Sequence, residues 1–234
     1  MSSISQNLAA VEARIAEACA AAGRDAASVR LLPVSKTHPM AAIREVASHG
    51  YTLFGENKVQ EFVAKASEVA EGEQVRFSVI GHLQTNKAKQ VAELASEFQC
   101  LDSAKIATAL DRRMQALGRR LPVLMQVNSS GEPQKSGIAP EEVDALVAEL
   151  EACDGLDVRG LMTVAVKGPD DQVAACFERM TALQERLRQD QALGSSWDEL
   201  SMGMSGDLAL AIAHGSTCVR VGTDIFGARD YSRA

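Results

Sequence analysis

The chain has 234 residues, of which 46% are hydrophobic, enough to bury a sizeable core in one large α/β domain or two small ones. Its net charge of −7 argues against a broad nucleic-acid-binding surface, and no apolar run approaches the length of a membrane span. The first residues lack the basic start and apolar core of a signal peptide. Five cysteines are spread singly, without metal-ligand or redox-motif spacing, as we expect of a protein in the reducing cytoplasm.

Short apolar runs and helical periodicities alternate along the chain. Residues 5–22 predict an opening helix, because apolar side chains recur at helical spacing up to Gly23. Eight later segments are typical of short strands, at residues 29–35, 51–54, 75–80, 98–101, 121–127, 156–164, 199–201 and 217–221. Helices are predicted between them, among them residues 40–48, 83–98, 170–189 and 205–214, and a last helix is predicted to begin at residue 225.

Eight strands, each followed by a helix, predict an α/β fold with a single (β/α)8 TIM-type barrel domain over residues 1–234 and an extra N-terminal helix. A doubly wound open sheet is the alternative, since the second and seventh strands are short. In a barrel, functional sites lie at the C-terminal ends of the strands. The polar and ionisable residues at those ends are Lys36, Glu56, Asn57, His82, Asn128, Thr163, Ser201, Arg220 and Thr223.

The first predicted strand ends on a lysine. Lys36 follows the apolar run at residues 29–34, and Pro39 closes the segment. Apolar neighbours lower the proton affinity of a lysine, because burial disfavours its charged form. The neutral amine can form a Schiff base with an aldehyde, pyridoxal phosphate (PLP) included. The alternative is a surface lysine that caps the next helix.

Two glycine-rich loops follow the seventh and eighth strands, where barrels often bind phosphate. They span residues 201–207 and 221–227. Their glycines let backbone amides approach an anion, and their serine and threonine hydroxyls add donors. Because both loops have this composition at the expected barrel positions, together they predict a phosphate site.

Arg220 lies in the eighth predicted strand, just before the second of these loops. If it enters the site, it can point at the pyridine nitrogen of PLP, where a permanent cation disfavours protonation of the ring. An unprotonated ring is a poorer electron sink for carbanion chemistry. The alternative is a salt bridge across the barrel end, for instance to Glu56. Asn57 likewise has a structural alternative, as a helix cap.

Seven segments, in order along nearly the whole chain, resemble one known family. They are LLPVSKTHP at 31–39, FGENKVQEF at 54–62, GHLQTNKAK at 81–89, KSGI at 135–138, RGLMTV at 159–164, LSMGMSGDLALAIAHGST at 200–217 and VRVGTDIFGARDY at 219–231. In these segments the chain is similar to the PLP homeostasis proteins, single-domain relatives of the N-terminal barrel of alanine racemase. Residues 165–197 match only in general character.

The resemblance implies one covalent cofactor-binding residue, the Schiff-base lysine Lys36. The other implied residues are Ser201, Gly222 and Thr223 for the phosphate, Arg220 for the pyridine nitrogen, and Asn57 and Met162 as lining of the cofactor. No catalytic residue and no metal ligand is implied. His82 belongs to a family motif without an assigned role, and Lys135 lies in a polar loop, where it meets either solvent or an anion.

The resemblance also implies a function, since the family binds, buffers and delivers PLP (vitamin B6) rather than turning over a substrate. Apo PLP-dependent enzymes are then the candidate receivers, and a monomer is expected. Alanine racemase has a second, β-rich domain whose tyrosine serves as the opposing base, and we expect no such domain in a chain that ends at Ala234.

Two enzymatic alternatives share the same lysine and phosphate loops. A small PLP-dependent racemase or lyase needs an opposing acid or base, for which Tyr231 and His82 are the candidates. A Schiff-base aldolase acting on a sugar phosphate needs no PLP. The motif match over nearly the whole chain favours the PLP carrier over both.

Overall fold

A computed structural model describes residues 3–132 and 134–228 of the chain. Its parallel strands are β1 (Arg30–Pro33), β2 (Leu53–Glu56), β3 (Arg76–Val79), β4 (Glu97–Leu101), β5 (Leu121–Gln126), β6 (Leu156–Met162), β7 (Glu199–Ser201) and β8 (Cys218–Val221). Its α-helices are α1 (Ile4–Ala21), α2 (Met40–Ala47), α3 (Val59–Ser67), α4 (Ala88–Leu94), α5 (Ala104–Ala116), α6 (Val143–Leu150), α7 (Asp170–Gln189), α8 (Leu208–Ala213) and α9 (Thr223–Phe226). Short 3-10 turns occupy Ala26–Ser28, Thr85–Lys87, Pro140–Glu142 and Ala192–Gly194.

The eight strands form a closed barrel. Each strand pairs in parallel with its sequence neighbour from β2 to β8, and β8 pairs with β1. The remaining seam is closed by a bridge between Val34 and Gly55, where the Ser35 N–H donates to the Gly55 carbonyl at 3.0 Å. This closure confirms the predicted (β/α)8 barrel over the open sheet, because an open sheet would leave β1 and β2 unpaired along one edge each.

The extra N-terminal helix braces the two glycine-rich loops. A capping box between Ser3 and Gln6 starts α1, and the helix packs against α2, α8 and α9. The Arg14 guanidinium donates to the Asp224 carboxylate at 2.5 Å and to the Ser205 carbonyl at 2.6 Å. One side chain of α1 therefore holds both loops at the C-terminal end of the barrel.

Several predicted boundaries differ from the structure. The second strand ends at Glu56 rather than at residue 54, because Gly55 and Glu56 still pair with β3. The single helix predicted over residues 83–98 is wrong: Ala95 is extended, with φ −79° and ψ 146°, so α4 ends at Leu94 and the chain turns into β4. The helices predicted from residues 205 and 225 begin at Leu208 and Thr223, whereas α7 and β7 match their predicted bounds.

No helix within the described residues is long and apolar enough to cross a membrane. Side chains fill the barrel and the layer between its strands and helices, and the largest of those that are fully buried are Trp197, Phe54, Phe62, Phe77, Phe98 and Phe177. The barrel is therefore a packed core, and space for a ligand remains at its ends.

Candidate functional site

A cavity of about 380 Å³ opens at the C-terminal end of the barrel. It is formed by residues that follow β1, β2, β3, β6, β7 and β8, namely Val34, Lys36, His38, Asn57, Ile80, Val164, Met204, Ser205, Gly206, Arg220, Gly222 and Thr223. Five of the seven predicted cofactor-binding residues lie in this wall. The structure thus brings together side chains that are almost 190 residues apart in the sequence, because parallel strands all end at the same rim.

Lys36 lies in the cavity wall directly after the strand end of β1. The same cavity is lined by apolar residues, Val34 and Ile80 among them, and by polar residues such as His38 and Asn57. The preceding residue, Ser35, is fully buried, and the following residue, Thr37, has a left-handed φ of 67°. The chain therefore turns sharply at Lys36, since a β-branched residue adopts this conformation only when its surroundings hold it there.

Arg220 is a nearly buried cation, 5% exposed, whose hydrogen-bond partners are neutral. Its Nη1 donates to the Ser201 hydroxyl at 2.7 Å and its Nη2 donates to the Thr163 carbonyl at 2.7 Å. Burial lowers the pKa of Arg220, because the interior disfavours its charge. The alternative salt bridge to Glu56 is wrong, since Glu56 pairs with Lys65 at 2.6 Å. An arginine that has no carboxylate partner among residues 3–132 and 134–228 is suited to an electron-rich ligand group in the cavity.

The loop after β8 brings backbone to the cavity at Gly222. A Cβ atom added there would lie 3.0 Å from the Val34 carbonyl oxygen, closer than almost all real Cβ contacts. Glycine therefore permits the close approach of this loop to the end of β1. Thr223, the next residue, begins α9 and also lines the cavity.

The loop after β7 contributes different residues from the one the sequence singled out. Ser205 and Gly206 line the cavity, whereas Ser201 is fully buried below it. The Ser201 hydroxyl donates to the Gln99 side-chain oxygen at 2.7 Å and accepts from Arg220. The role of Ser201 as a direct phosphate ligand stays a prediction. The glycines around Ser205 were the signal that pointed to this part of the loop.

Met162 and Asn57 occupy different depths. Met162 ends β6 at 1% exposure, outside the cavity wall, and its role as lining also stays a prediction. Asn57 lies in the wall, and Lys58 rather than Asn57 is the N-cap of α3, so the structure does not show Asn57 as a helix cap.

The remaining sequence candidates lie around the rim. His82 borders a neighbouring cavity of about 360 Å³, and its Nδ1 lies 3.5 Å from the Asp102 carboxylate. Lys135 donates to the Ala165 carbonyl at 2.9 Å and pairs with the Glu132 carboxylate at 3.0 Å. Tyr231 lies outside the described residues. Across residues 3–132 and 134–228, no group of three His, Cys, Asp or Glu side chains is placed to hold a metal ion.

Sequence reasoning missed two features beside Lys36. The His38 ring stacks on Phe226, with ring centroids 5.0 Å apart, and closes one side of the cavity. Lys65, to which the sequence reasoning assigns no role, is buried on α3 and bonded to Glu56 and Glu61. The His38–Phe226 and Lys65–Glu56 contacts have no local sequence signal, because each joins residues from different elements, whereas Glu61 and Lys65 lie one turn apart on the same helix.

The chain shares its fold and its sequence with characterised groups of proteins. Residues 6–230 match the family model described as "Alanine racemase, N-terminal domain". A protein of Pseudomonas aeruginosa named "Pyridoxal phosphate homeostasis protein" is 46% identical over 231 residues, which cover 99% of this chain and 98% of that protein. The Escherichia coli K12 protein of the same name is 40% identical over 235 residues, the full length of both.

Among solved structures, PipY of Synechococcus elongatus, described with PLP bound, superposes with a TM-score of 0.80 at 37% identity. The match covers 91% of this chain and all of that one. Sequence identity of this extent over nearly full lengths, together with the barrel described above, identifies the group. The chain belongs to the pyridoxal phosphate homeostasis protein family, built on the N-terminal barrel fold of alanine racemase.

Proposed function

We propose that this protein binds PLP in the cavity at the C-terminal end of its barrel, held as a Schiff base on Lys36, and serves PLP homeostasis without substrate turnover. The observation that carries the proposal is that Lys36, Arg220 and both glycine-rich loops line one cavity of about 380 Å³. Relatives at 40–46% identity carry the homeostasis name, and PipY is described with PLP bound, which supports the same ligand here.

The residues present fit the chemistry of PLP. When bound, PLP supplies an aldehyde that condenses with an amine and a ring that withdraws electrons. In this chain Lys36 offers the amine, and the cavity places it among apolar side chains. Gly222, Thr223 and the Ser205–Gly206 backbone offer small, polar surroundings for a phosphate, and Asn57 lines the cavity near Lys36.

Arg220 supports a carrier rather than an enzyme. Arg220 lines the cavity, and its bonded partners, the Ser201 hydroxyl and the Thr163 carbonyl, do not neutralise its charge because both are themselves neutral. Placed against the pyridine nitrogen, it keeps a proton off the ring and weakens the ring as an electron sink. Binding and release then remain available, whereas carbanion chemistry is disfavoured.

The same proposal includes the setting in which the protein works. Apo PLP-dependent enzymes are the receivers, the protein acts as a monomer, and its compartment is the cytoplasm. All five cysteines are buried free thiols, which suits a reducing compartment. Transfer is tested by mixing the loaded protein with an apo PLP-dependent enzyme and following both the loss of the visible absorption and the gain of enzyme activity.

The first experiment is an absorption spectrum of the purified protein with PLP added, followed by borohydride reduction and peptide mass mapping. We expect visible absorption and a pyridoxyl group on Lys36, both absent in the Lys36→Ala variant at equal protein concentration. Lys89→Met is a matched control, because Lys89 lies exposed on α4 in a loose pair with Glu93.

Turnover assays with amino acids then separate the carrier from a racemase or lyase. We expect rates no higher than those of free PLP. Sustained turnover that Lys36→Ala abolishes would contradict the carrier. Labelling of Lys36 by a sugar phosphate, but not by PLP, would instead indicate an aldolase.

A further inference from the structure

A second lysine lies directly behind the strand end that carries Lys36. The Lys65 side chain, on α3, is only 8% exposed. Its ammonium group donates to Glu56 Oε1 at 2.6 Å, to Glu61 Oε1 at 2.7 Å and to the Ser35 carbonyl oxygen at 2.8 Å. Three acceptors match the three protons of an ammonium, so Lys65 is bound as a cation and is not itself a nucleophile.

These contacts hold the backbone on both sides of Lys36. On one side, Ser35 donates its hydroxyl to Glu56 Oε1 at 2.6 Å and gives its carbonyl to Lys65. On the other side, the Thr37 N–H donates to Glu61 Oε1, the same oxygen that accepts from Lys65. One ammonium and two carboxylates therefore bracket the Schiff-base position from β2 and α3.

The residue that follows Lys36 has a backbone conformation that needs support from its surroundings. Thr37 is β-branched and has a φ of 67°, a conformation that threonine adopts only when surrounding contacts impose it. The hydrogen bond from its N–H to Glu61 is a contact that ties it to the rigid helix α3. Without that contact, the turn that directs Lys36 toward the cavity is free to relax to an extended conformation.

We propose that Lys65, Glu56 and Glu61, here called the Lys65 cluster, are positioning residues that fix the Lys36 backbone so that its amine is held ready in the cavity. The proposal rests on the proposed function, because it concerns the presentation of Lys36 to PLP. The cluster acts by pre-organisation: because the backbone at Lys36 is already ordered in the free protein, its ordering does not reduce the free energy of ligand binding.

Lys65→Met removes the cation and keeps most of the side-chain volume. Releasing one ordered backbone residue weakens binding by about tenfold when that order has to be re-formed with the ligand. We therefore expect the dissociation constant for PLP to rise about tenfold, chiefly through faster release, with a smaller fraction of protein trapped on Lys36 by borohydride. Lys89→Met, on the exposed face of α4, is the matched control and should leave both quantities unchanged.

A second variant separates positioning from folding. Lys65→Met leaves the fully buried Glu56 without its cation, which is destabilising in its own right. Adding Glu56→Gln removes that uncompensated charge, and the amide oxygen can still accept from Ser35. We expect the double variant to regain its urea midpoint of unfolding while still releasing PLP about tenfold faster than the unmodified protein.

A third variant removes only the link to Thr37. Glu61 is partly exposed on α3, so Glu61→Ala should fold, and it deletes the acceptor of the Thr37 N–H. We expect faster PLP release here too.

The outcomes are distinct. Wild-type release rates in the folded double variant and in Glu61→Ala would overturn the proposal and leave the cluster a purely structural one. If the unmodified protein itself forms no adduct on Lys36, the proposed function fails first. Slow release from the unmodified protein with fast release from both variants supports the positioning role.

Discussion

Each end of the barrel holds an arginine, and the two differ in burial and in partners: Arg220 is 5% exposed, whereas the Arg30 side chain is 35% exposed. At the N-terminal end, Arg30 donates to Glu97 at 2.9 Å and to Glu199 at 2.7 Å. Burial lowers the pKa of Arg30, but the neighbouring Cys218 and the two carboxylates outweigh it, so that the pKa is raised. At the C-terminal end, the partners that Arg220 finds in the described part of the chain are a hydroxyl and a carbonyl, and burial lowers its pKa.

The two ends are connected through the barrel by a chain of hydrogen bonds. Glu97 accepts from Arg30 and from the Gln99 amide, and Gln99 accepts from the Ser201 hydroxyl, which in turn accepts from Arg220. The two arginines differ in whether their bonded partners are charged, and this difference indicates what each cation does. A cation neutralised by the protein's own carboxylates serves the fold, whereas one left with neutral partners is available to a ligand.

Arg220→Met is expected to have the largest effect, and it tests whether this arginine serves the ligand rather than the fold. A hydrogen bond or ion contact to a charged group contributes about 1.5–3 kcal/mol, so the affinity for PLP should fall roughly 10- to 100-fold. The stability of the free protein should change little, because the substitution removes a desolvated charge, for which the described residues supply no carboxylate, together with its bonds to Ser201 and Thr163. Titration with PLP and urea unfolding on the same sample measure both effects; a large loss of stability with unchanged PLP affinity would mean that Arg220 stabilises the fold and does not contact the ligand.

Arg30→Met makes the opposite test. It leaves Glu97, almost buried, and Glu199 without their cation, and we expect the free energy of unfolding to fall by about 2 kcal/mol, less than for a fully buried pair because Arg30 is partly exposed. PLP affinity per folded molecule should stay the same. Urea unfolding of Arg30→Met beside Arg186→Met, whose pair with Asp144 is exposed, checks that the loss comes from the partly buried pairs of Arg30.

Gly222→Ala tests whether PLP binding at the C-terminal end depends on the close approach of the loop after β8. A Cβ atom would crowd the Val34 carbonyl at 3.0 Å and push the loop after β8 away from the cavity. We expect about three- to tenfold weaker PLP binding, because a shift of a few tenths of an ångström weakens a charge-assisted hydrogen bond without abolishing it. Lys89→Met, on the exposed face of α4 and outside the cavity wall, is the control. Equal losses in both variants would contradict this reason.

The smallest effect is a pH dependence at the N-terminal end. Burial raises the pKa of Glu199 above 4.5, and the charge of Arg30 only partly opposes it. The folded protein then binds this proton more tightly than the unfolded chain, so the stability it contributes is present below pH 4.5 and is lost as pH rises through the raised value. Relative to the unmodified protein, Glu199→Gln should gain stability as pH rises across that window.

Urea midpoints of both proteins at several pH values measure this difference. Leu94→Gln, at an exposed position of α4, is the control: it removes no titrating group, so its difference from the unmodified protein should stay flat with pH. If Glu199→Gln instead lost stability relative to the unmodified protein as pH rises, the fold would favour the charged form of Glu199.

The sequence predicted which strand ends meet at the cavity, but not which side chains hold those strand ends in place. Lys36 is predicted because it follows the apolar run of the first strand, and Arg220 because it lies in the eighth strand. The two glycine-rich loops are predicted because they follow the seventh and eighth strands. Within the first loop, Ser205 and Gly206 line the cavity and Ser201 lies beneath Arg220, so the role of Ser201 toward a phosphate stays a prediction. The turn of the loop decides which of its side chains faces the cavity.

The sequence by itself determined the barrel, the order of its strands and the rim on which Lys36, Arg220 and the two glycine-rich loops meet. It did so because strand and helix periodicities are local and because every strand of a parallel barrel ends at the same rim. Only the tertiary structure decided that Lys65 is a buried cation behind Lys36, and that Arg30 rather than Arg220 is neutralised by carboxylates. Those partnerships depend on how helices and strands far apart in the sequence are set against each other, and no local pattern records that geometry.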